Sequence, residues 1–172
     1  MKQRLTEIAQ QRVAETLTSG DFAIDATAGN GHDTAFLAQL VGINGQVFAF
    51  DVQPEAIAAT QSRVADLGWK NVTLFQKSHA ELEFVLPSDA SGRVGAAMFN
   101  LGYLPGGDHA IVTESESTLD AINAALRIMR SGGVLTIVAY PDTPVEPAKP
   151  QQLPSISPTS IGTSIPSSGS TV

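Results

Sequence analysis

The segment FAIDATAGNGHDTAFLAQLV, residues 22–41, decides the fold class, because a short apolar run passes through a glycine-containing turn into a helical pattern. The run over 22–25 predicts a buried strand, and the apolar positions within 34–41 fall on one side of a helix. Gly29 and Gly31 allow a tight turn and close approach of the backbone. The segment therefore predicts a strand, a turn and a helix that starts with free backbone N–H groups.

The same alternation continues on both sides of this segment. Helical spacing of apolar residues predicts a helix over 3–17. Strands that alternate with helices predict an α/β fold, a mostly parallel sheet with helices on both faces. Such sheets bind ligands outside the carboxyl ends of their strands, so the residues that end each strand are the candidate site residues. The later predicted elements are a strand over 47–51, a helix over 54–67, a strand over 72–75, a short helix over 80–86, a strand over 96–101, a helix after 113 and a strand over 134–140.

The last predicted helix has a capping signal and an apolar face. Thr113 and Glu116 stand three residues apart, as in a capping box, and predict where the helix begins. The glycine pair 132–133 is expected to end it. The residues expected to be buried on its apolar face are Leu119, Ile122, Leu126 and Met129.

Length and composition indicate one folded domain followed by a tail. A chain of 172 residues can build one ordinary core but not two. The segment 141–172 holds seven of the ten prolines and shows neither helical nor alternating spacing. Such a segment cannot bury enough apolar surface to offset the entropy of ordering it. We therefore predict a domain over 1–140 and a disordered tail, rich in Pro, Ser and Thr, over 141–172.

Charge and residue usage exclude several classes of protein. A net charge of −7 argues against non-specific binding to nucleic acid, which needs a surplus of Lys and Arg. The absence of cysteine excludes a disulfide framework, a thiolate metal site and a catalytic thiol, and we predict no metal site. The sequence has neither an apolar run of about 20 residues nor a signal peptide, so we expect no membrane contact and a cytoplasmic location.

A carboxylate ends the second predicted strand. Asp51 lies twenty residues beyond Gly31. At this spacing after a glycine turn, a carboxylate meets the two hydroxyl groups of a ribose. Gly29, Gly31 and Asp51 together therefore indicate a nucleoside cofactor, whose sugar hydroxyls would donate to Asp51.

The rest of the turn bears on which cofactor this is. A dinucleotide-binding turn usually has a third Gly or Ala, whereas this sequence has Thr34 at that position. An acidic turn suits an ammonium group better than a pyrophosphate, so Asp25 and Asp33 are expected near the amino-acid end of S-adenosylmethionine. A nicotinamide cofactor, and with it an oxidoreductase, is the second alternative. Besides Asp33, the polar residues that fill the turn are Asn30 and His32.

Ser78 and His79 follow the third predicted strand, and two interpretations of them stay open. In this architecture the third strand ends beside the second, so both residues could border the adenine ring of the cofactor. Alternatively, Ser78 caps the next helix and His79 is half exposed to solvent. The sequence alone favours neither interpretation.

The fourth predicted strand runs into FNLGYLPGGD, residues 99–108, where polar residues and glycines interrupt an apolar run. Asn100 and Tyr103 have the outline of the Asn-Pro-Pro-Tyr loop by which many amino-group methyltransferases hold a target nitrogen. The side-chain oxygen of Asn100 would accept a hydrogen of that nitrogen, and Tyr103 would stack on a flat base. The alternative is a plain turn in which Tyr103 closes the core.

Four stretches taken together resemble a known family. DATAGNGHDT (25–34), VFAFDVQ (47–53), SHAEL (78–82) and AAMFNLGYLPGGD (96–108), in this order and spacing, resemble the small bacterial methyltransferases labelled "putative rRNA methylase". The resemblance implies a Rossmann-like class I methyltransferase that uses S-adenosylmethionine. It also implies a tRNA partner, because members are understood to methylate the aminomethyl group of 5-aminomethyl-2-thiouridine at the wobble position.

The resemblance also implies site residues. The target site would lie over 100–107. An alkyl amine has a pKa of roughly 10 and must lose a proton before it attacks a methyl group. Tyr103, Asp108 and His109 are candidate acceptors, and bulk water is the alternative. By the resemblance the cofactor site would be lined by Asn30, His32, Asp33, Asp51, Gln53, Ser78 and His79.

The sequence departs from the family after the fifth strand. Family members continue with a glycine-rich segment and two strands that form an antiparallel hairpin, whereas PDTPVEPAKPQQLP (141–154) stands here. We therefore expect the hairpin to be missing and the fifth strand to be an exposed sheet edge, through which a homodimer could form. A catalytically impaired protein that still binds S-adenosylmethionine or RNA is the main alternative function.

Overall fold

The computed structural model describes residues 4–102 and 115–139. Within these ranges helices and strands alternate as predicted, and the strand over 22–25 has the predicted bounds. The elements are α1 (Leu5–Thr16), β1 (Phe22–Asp25), α2 (His32–Val41), β2 (Gln46–Asp51), α3 (Pro54–Asp66), β3 (Val72–Gln76), α4 (Leu82–Val85), β4 (Val94–Leu101), α5 (Ser115–Ile128) and β5 (Met129–Ala139), with short 3-10 turns over His79–Glu81 and Ser88–Ala90.

The five strands form one parallel sheet in the order β3-β2-β1-β4-β5. The order reverses at β1, which pairs with β2 on one side and β4 on the other. The carboxyl ends of β1, β2 and β4 therefore surround the crevice where parallel sheets of this kind bind ligands. The predicted fold class is confirmed.

Apolar side chains fill both faces of the sheet. Every residue of β1 is buried, because helices cover it on each side. Successive strand residues point to opposite faces, so Ala23 packs toward α1 and α2 while Ile24 packs toward α5. The large buried side chains on the α5 face include Phe50, Phe99 and Leu82, and those on the α1 and α2 face include Leu37, Met98, Val13 and Val41.

The buried face of α5 differs from the predicted one. Leu119 and Leu126 were expected in the core, but they are 58% and 56% exposed. The helix instead buries small residues, so its backbone can lie close to the sheet, and a prediction based on side-chain size selects the wrong stripe. Met129 lies outside the helix, as the first residue of β5, and Ile122 packs against the core as predicted. The residues buried in place of the two leucines are Ala121, Ala124 and Ala125.

The glycine pair 132–133 also has a different role from the predicted one. The helix ends at Ile128, and the pair lies inside β5. The pairing of β4 with β5 shifts register around it, where a Cβ on Gly133 would come within 3.1 Å of the Gly95 carbonyl oxygen. The two glycines therefore form an irregular stretch of strand that needs close backbone contact.

Three expectations concern residues outside the described ranges. Two of these are the disordered tail over 141–172 and the missing hairpin, and the third, a homodimer, concerns β5, which is described and lies at one edge of the sheet, but a partner chain that would test it lies outside the described residues. They stay predictions. Among the described residues, no helix has the length and apolar composition needed to cross a membrane.

Candidate functional site

The turn after β1, residues 26–31, is shaped by two glycines and held by α3. Gly29 and Gly31 have φ angles of 51° and 75°, in the region that favours glycine. The Thr60 hydroxyl donates to the Gly29 carbonyl at 3.1 Å, and Arg63 Nε donates to the Asn30 carbonyl at 2.7 Å. Because side chains of α3 donate hydrogen bonds to these carbonyl oxygens, the neighbouring helix fixes the conformation of this glycine turn.

A methyl group at Gly31 is expected to strain this turn. A Cβ there would lie 2.8 Å from Thr60 Cα, which is backbone and cannot move aside cheaply, and φ is +75°. We expect Gly31→Ala to lower the free energy of unfolding by about 2–4 kcal/mol in chemical denaturation. Gly68→Ala is the matched control, because Gly68 has φ +76° with no atom within 4 Å of its Cβ position. Equal losses in the two variants would show that the Thr60 contact has no role.

Asp51 joins the glycine turn to the start of α3. Its Oδ2 accepts from the Gly29 N–H at 2.9 Å, and its Oδ1 accepts from the Gln53 N–H at 3.0 Å. The structure thus brings Asp51 and Gly29 together, as their spacing predicts. A carboxylate has about four lone-pair sites, and the side chain is partly exposed, so each oxygen can still accept a ligand hydroxyl.

Asp25 lies underneath the turn rather than on its open side. Only 1% of it is exposed, and its oxygens accept from Thr34 Oγ1 at 2.6 Å and from the Thr27 N–H at 3.1 Å. Burial raises the pKa of Asp25 to about 7, although the Thr34 hydrogen bond lowers it, and the charges of Asp33 and Asp51 raise it further. The expected contact between Asp25 and a ligand ammonium stays a prediction, and both oxygens already have protein partners.

The buried Asp25 is expected to make stability fall as pH rises. Its folded pKa of about 7 lies above the ordinary value of 3.8 for an aspartate, so the folded state keeps a proton that the unfolded state loses between about pH 4 and pH 7. Each pH unit in that window then costs at most about 1.4 kcal/mol of unfolding free energy. Asp25→Asn should remove this slope. The free energies of unfolding of variant and parent, measured by chemical denaturation at each pH, should therefore diverge from pH 4 to 7. The same pH dependence of unfolding free energy in variant and parent would contradict the raised pKa of Asp25.

Asp33, Asn100 and Gln10 form one hydrogen-bonded group across three elements. Asp33, at the start of α2, is 8% exposed. Its Oδ1 accepts from Gln10 Nε2 at 2.6 Å, and its Oδ2 accepts from Asn100 Nδ2. Asn100 also donates its backbone N–H to Thr27 Oγ1 at 2.7 Å. Its side-chain Oδ1 is buried and has no hydrogen-bond partner within the described ranges.

His79 is buried, not half exposed. Its Nδ1 lies 3.1 Å from the Ala26 carbonyl oxygen, which can only accept, so Nδ1 carries the proton. Its Nε2 lies 3.4 Å from Thr118 Oγ1, and its ring meets Phe99 edge-on. Burial lowers the pKa of His79, although the Ala26 hydrogen bond and the charge of Asp51 raise it. A neutral imidazole therefore supports the glycine turn from the α5 side, and its contact with adenine stays a prediction.

The other predicted residues have structural contacts of their own. Ser78 Oγ accepts from the Ala80 N–H at 3.2 Å, which is the capping role given as its alternative. Gln53 is buried just before α3, and His32 is exposed with its Nε2 3.2 Å from Arg63 Nη2. Their roles toward a cofactor stay predictions. Tyr103, Asp108 and His109 lie outside the described residues.

The structure adds residues that the sequence did not indicate. Thr60 and Arg63 stand three apart on α3, which puts two polar groups on one face of that helix. This spacing is the one local pattern that could have indicated Thr60 and Arg63. No local pattern indicates Gln10, because it contacts Asp33, which is 23 residues away in the chain. In the described part of the chain, no group of three or more His, Cys, Asp or Glu side chains could hold a metal ion.

Comparisons with known proteins point to one family. The sequence model of the family described as "Putative rRNA methylase" matches residues 47–148. A chloroplastic tRNA (mnm(5)s(2)U34)-methyltransferase of Arabidopsis thaliana is 39% identical over 148 residues, covering 81% of this chain and 53% of that protein. This chain therefore spans about half the length of the curated relatives it matches.

Solved structures give the same result. A putative rRNA-methylase from Clostridium thermocellum matches with a TM-score of 0.77 and 41% identity, over 83% of this chain and 76% of that chain. A putative methyltransferase from Streptococcus mutans, solved in complex with SAH, matches with a TM-score of 0.71 and 36% identity, over 80% of this chain and 73% of that chain.

Proposed function

The chain belongs to the family described as "Putative rRNA methylase", and on this premise we propose that it is an S-adenosylmethionine-dependent methyltransferase that acts on an amine attached to a nucleobase. The specific substrate that we propose is the aminomethyl group of 5-aminomethyl-2-thiouridine at the tRNA wobble position, because the Arabidopsis relative is named for mnm(5)s(2)U34. We assign the activity to residues 1–140.

One observation carries this proposal. The Asn100 Oδ1 atom is a buried acceptor at the carboxyl end of β4 with no partner in the described part of the chain. Leaving such an atom unpaired is costly, so a native structure usually supplies a donor. An amine nitrogen carries N–H groups that can fill this role. The acceptor is tied to the glycine turn by the bond from Asn100 N–H to Thr27 Oγ1, so amine and cofactor would lie side by side.

The residues of the crevice fit S-adenosylmethionine. Asp51 keeps acceptor sites for the two ribose hydroxyls, and it already fixes the glycine turn through the Gly29 N–H. Asp33 gives negative charge at the start of α2, near which a ligand ammonium could sit. When bound, S-adenosylmethionine supplies a methyl group on a positively charged sulfur, and transfer leaves S-adenosylhomocysteine and one released proton.

The chain's own task is to hold an amine with its lone pair free. Asn100 Oδ1 would accept one N–H of the neutral amine and so fix the direction of the lone pair. The amine is mostly protonated at pH 7, since its pKa is roughly 10, so a proton must leave first. We propose Tyr103, Asp108 and His109 as candidate acceptors, because they stand in or next to the predicted target segment, with bulk water as the alternative.

The test is methyl transfer by the full chain. We would incubate it with S-adenosylmethionine labelled in the methyl group and with tRNA that carries 5-aminomethyl-2-thiouridine, and then separate the nucleosides. Label in the methylated wobble nucleoside is expected. tRNA that already carries the methyl group is the matched control and should stay unlabelled.

Two other results would contradict the proposal. A rise in melting temperature with S-adenosylmethionine but no label in any RNA would indicate a binding protein that is not an enzyme. A rise in melting temperature with NADH instead would contradict the assignment of S-adenosylmethionine as the cofactor.

A further inference from the structure

We propose that Gln10 and Asp33 are positioning residues that determine which end of the Asn100 side-chain amide faces the target amine. The inference rests on the proposed function, because it concerns the same acceptor. It adds a role for α1, which lies outside the strand-end loops that form the predicted site.

The charge of Asp33 fixes the orientation of the Asn100 amide. An ionised carboxylate can only accept hydrogen bonds. The group of Asn100 that contacts Asp33 Oδ2 must therefore be the NH2 group, and the same reasoning holds for Gln10 at Oδ1. With Nδ2 bound to Asp33, Asn100 Oδ1 is left for another donor.

The opposite orientation would fail on both sides of the amide. If Asn100 were flipped, its oxygen would face the carboxylate of Asp33, so two acceptors would meet without a hydrogen. Its NH2 group would then face the target nitrogen and donate to the lone pair that must attack the methyl group. The nucleophile would be blocked by the same residue that now holds it. Asp33 thus makes only one of the two amide orientations productive.

Gln10 holds the carboxylate in the position that this requires. Asp33 is 8% exposed, so solvent has little access to its oxygens. Gln10 Nε2, at 2.6 Å from Oδ1, is the partner of the oxygen that Asn100 does not use. The start of α2 also favours a negative charge at Asp33, because free backbone N–H groups lie there. Without Gln10 the carboxylate can rotate, and Asn100 loses its fixed partner.

Gln10→Met tests the proposal, with Gln11→Met as the matched control. Gln11 is the next residue of α1, is exposed and bonds only to Glu15 among the described residues. Side-chain amide signals in an ¹⁵N correlation spectrum, with those of Asn100 identified by their loss in Asn100→Ser, report the orientation directly. We expect Gln10→Met to shift the Asn100 signals and Gln11→Met to leave them in place. Gln10→Ala repeats the test if the methionine variant does not fold.

Kinetic measurements on Gln10→Met distinguish a role in positioning Asn100 from a role in binding tRNA or cofactor. Gln10→Met is expected to lower kcat about tenfold, with KM for tRNA and the Kd of S-adenosylmethionine changed less than about twofold. In an Asp33→Asn background, where the charge that orients the amide is gone, Gln10→Met should have no further effect on kcat. A purely structural role would lower the melting temperature and would persist in that background.

Each outcome decides the proposal. Unchanged Asn100 signals in Gln10→Met would overturn it, and so would a loss confined to KM. If the parent protein transfers no methyl group, the proposed function fails, but the amide signals still decide whether Gln10 and Asp33 orient Asn100. Shifted signals together with a tenfold loss of kcat would support both.

Discussion

Replacement of Asp51 by alanine is expected to weaken the binding of S-adenosylmethionine about hundredfold. The carboxylate is the proposed acceptor for both ribose hydroxyls, and a hydrogen bond to a charged group contributes about 1.5–3 kcal/mol. Two such bonds correspond to at least a hundredfold change in Kd. The substitution also frees the Gly29 and Gln53 N–H groups that Asp51 now binds, which loosens the glycine turn. Isothermal titration calorimetry with the full chain measures the change.

Two variants make this measurement specific. Asp66→Ala removes a carboxylate at the exposed end of α3 and should leave the Kd unchanged, so it controls for a general loss of negative charge. Asp51→Asn keeps one oxygen acceptor and is expected to fall between the parent and Asp51→Ala. An unchanged Kd in Asp51→Ala would contradict the assignment of the ribose site.

Asn100→Ala is expected to reduce methyl transfer about hundredfold or more while the Kd of S-adenosylmethionine changes only a few-fold. The variant removes the buried acceptor that would hold the amine, and misplacement of a reacting group by about 1 Å can cost a hundredfold in rate. Single-turnover transfer of labelled methyl to tRNA measures the rate, and calorimetry measures the affinity.

The control for Asn100→Ala is Asn123→Ala, on the exposed side of α5, which should transfer at the parent rate. Equal losses of rate and of cofactor affinity in Asn100→Ala would mean that Asn100 belongs to the cofactor site. A parent-like rate would remove it from the site.

The sequence predicted the parts of this molecule that depend on short stretches of chain. The proximity of Gly29 and Asp51 was predicted because the order of strands in a parallel sheet brings the ends of neighbouring strands together. The place of Asn100 beside the same turn was predicted for the same reason, and its role in the site stays a prediction. In each case the residue type and its place at a strand end were sufficient, without knowledge of side-chain contacts.

Contacts between side chains on separate elements could not be predicted. Gln10 meets Asp33 because α1 packs beside α2, and Arg63 meets Asn30 because α3 packs beside the glycine turn. The sequence does not show which residues these side chains contact. Asp25 was identified as an acidic group of the site, but its burial depends on α2 and on Thr34, which covers it. The predicted apolar face of α5 was wrong at Leu119 and Leu126, because three alanines are buried against the sheet in their place.

The alanine face of α5 bears on the crevice as well as on the core. Three alanine methyl groups and the side chain of Ile122 pack between this helix and the sheet, and Thr118 Oγ1 of the same helix lies 3.4 Å from His79 Nε2. The small size of these alanines lets the helix lie close to the strands, where Thr118 can contact the imidazole that bonds to the Ala26 carbonyl. We expect a larger side chain at any of the three alanines to move Thr118 away from His79, so packing in the core bears on a contact beside the glycine turn.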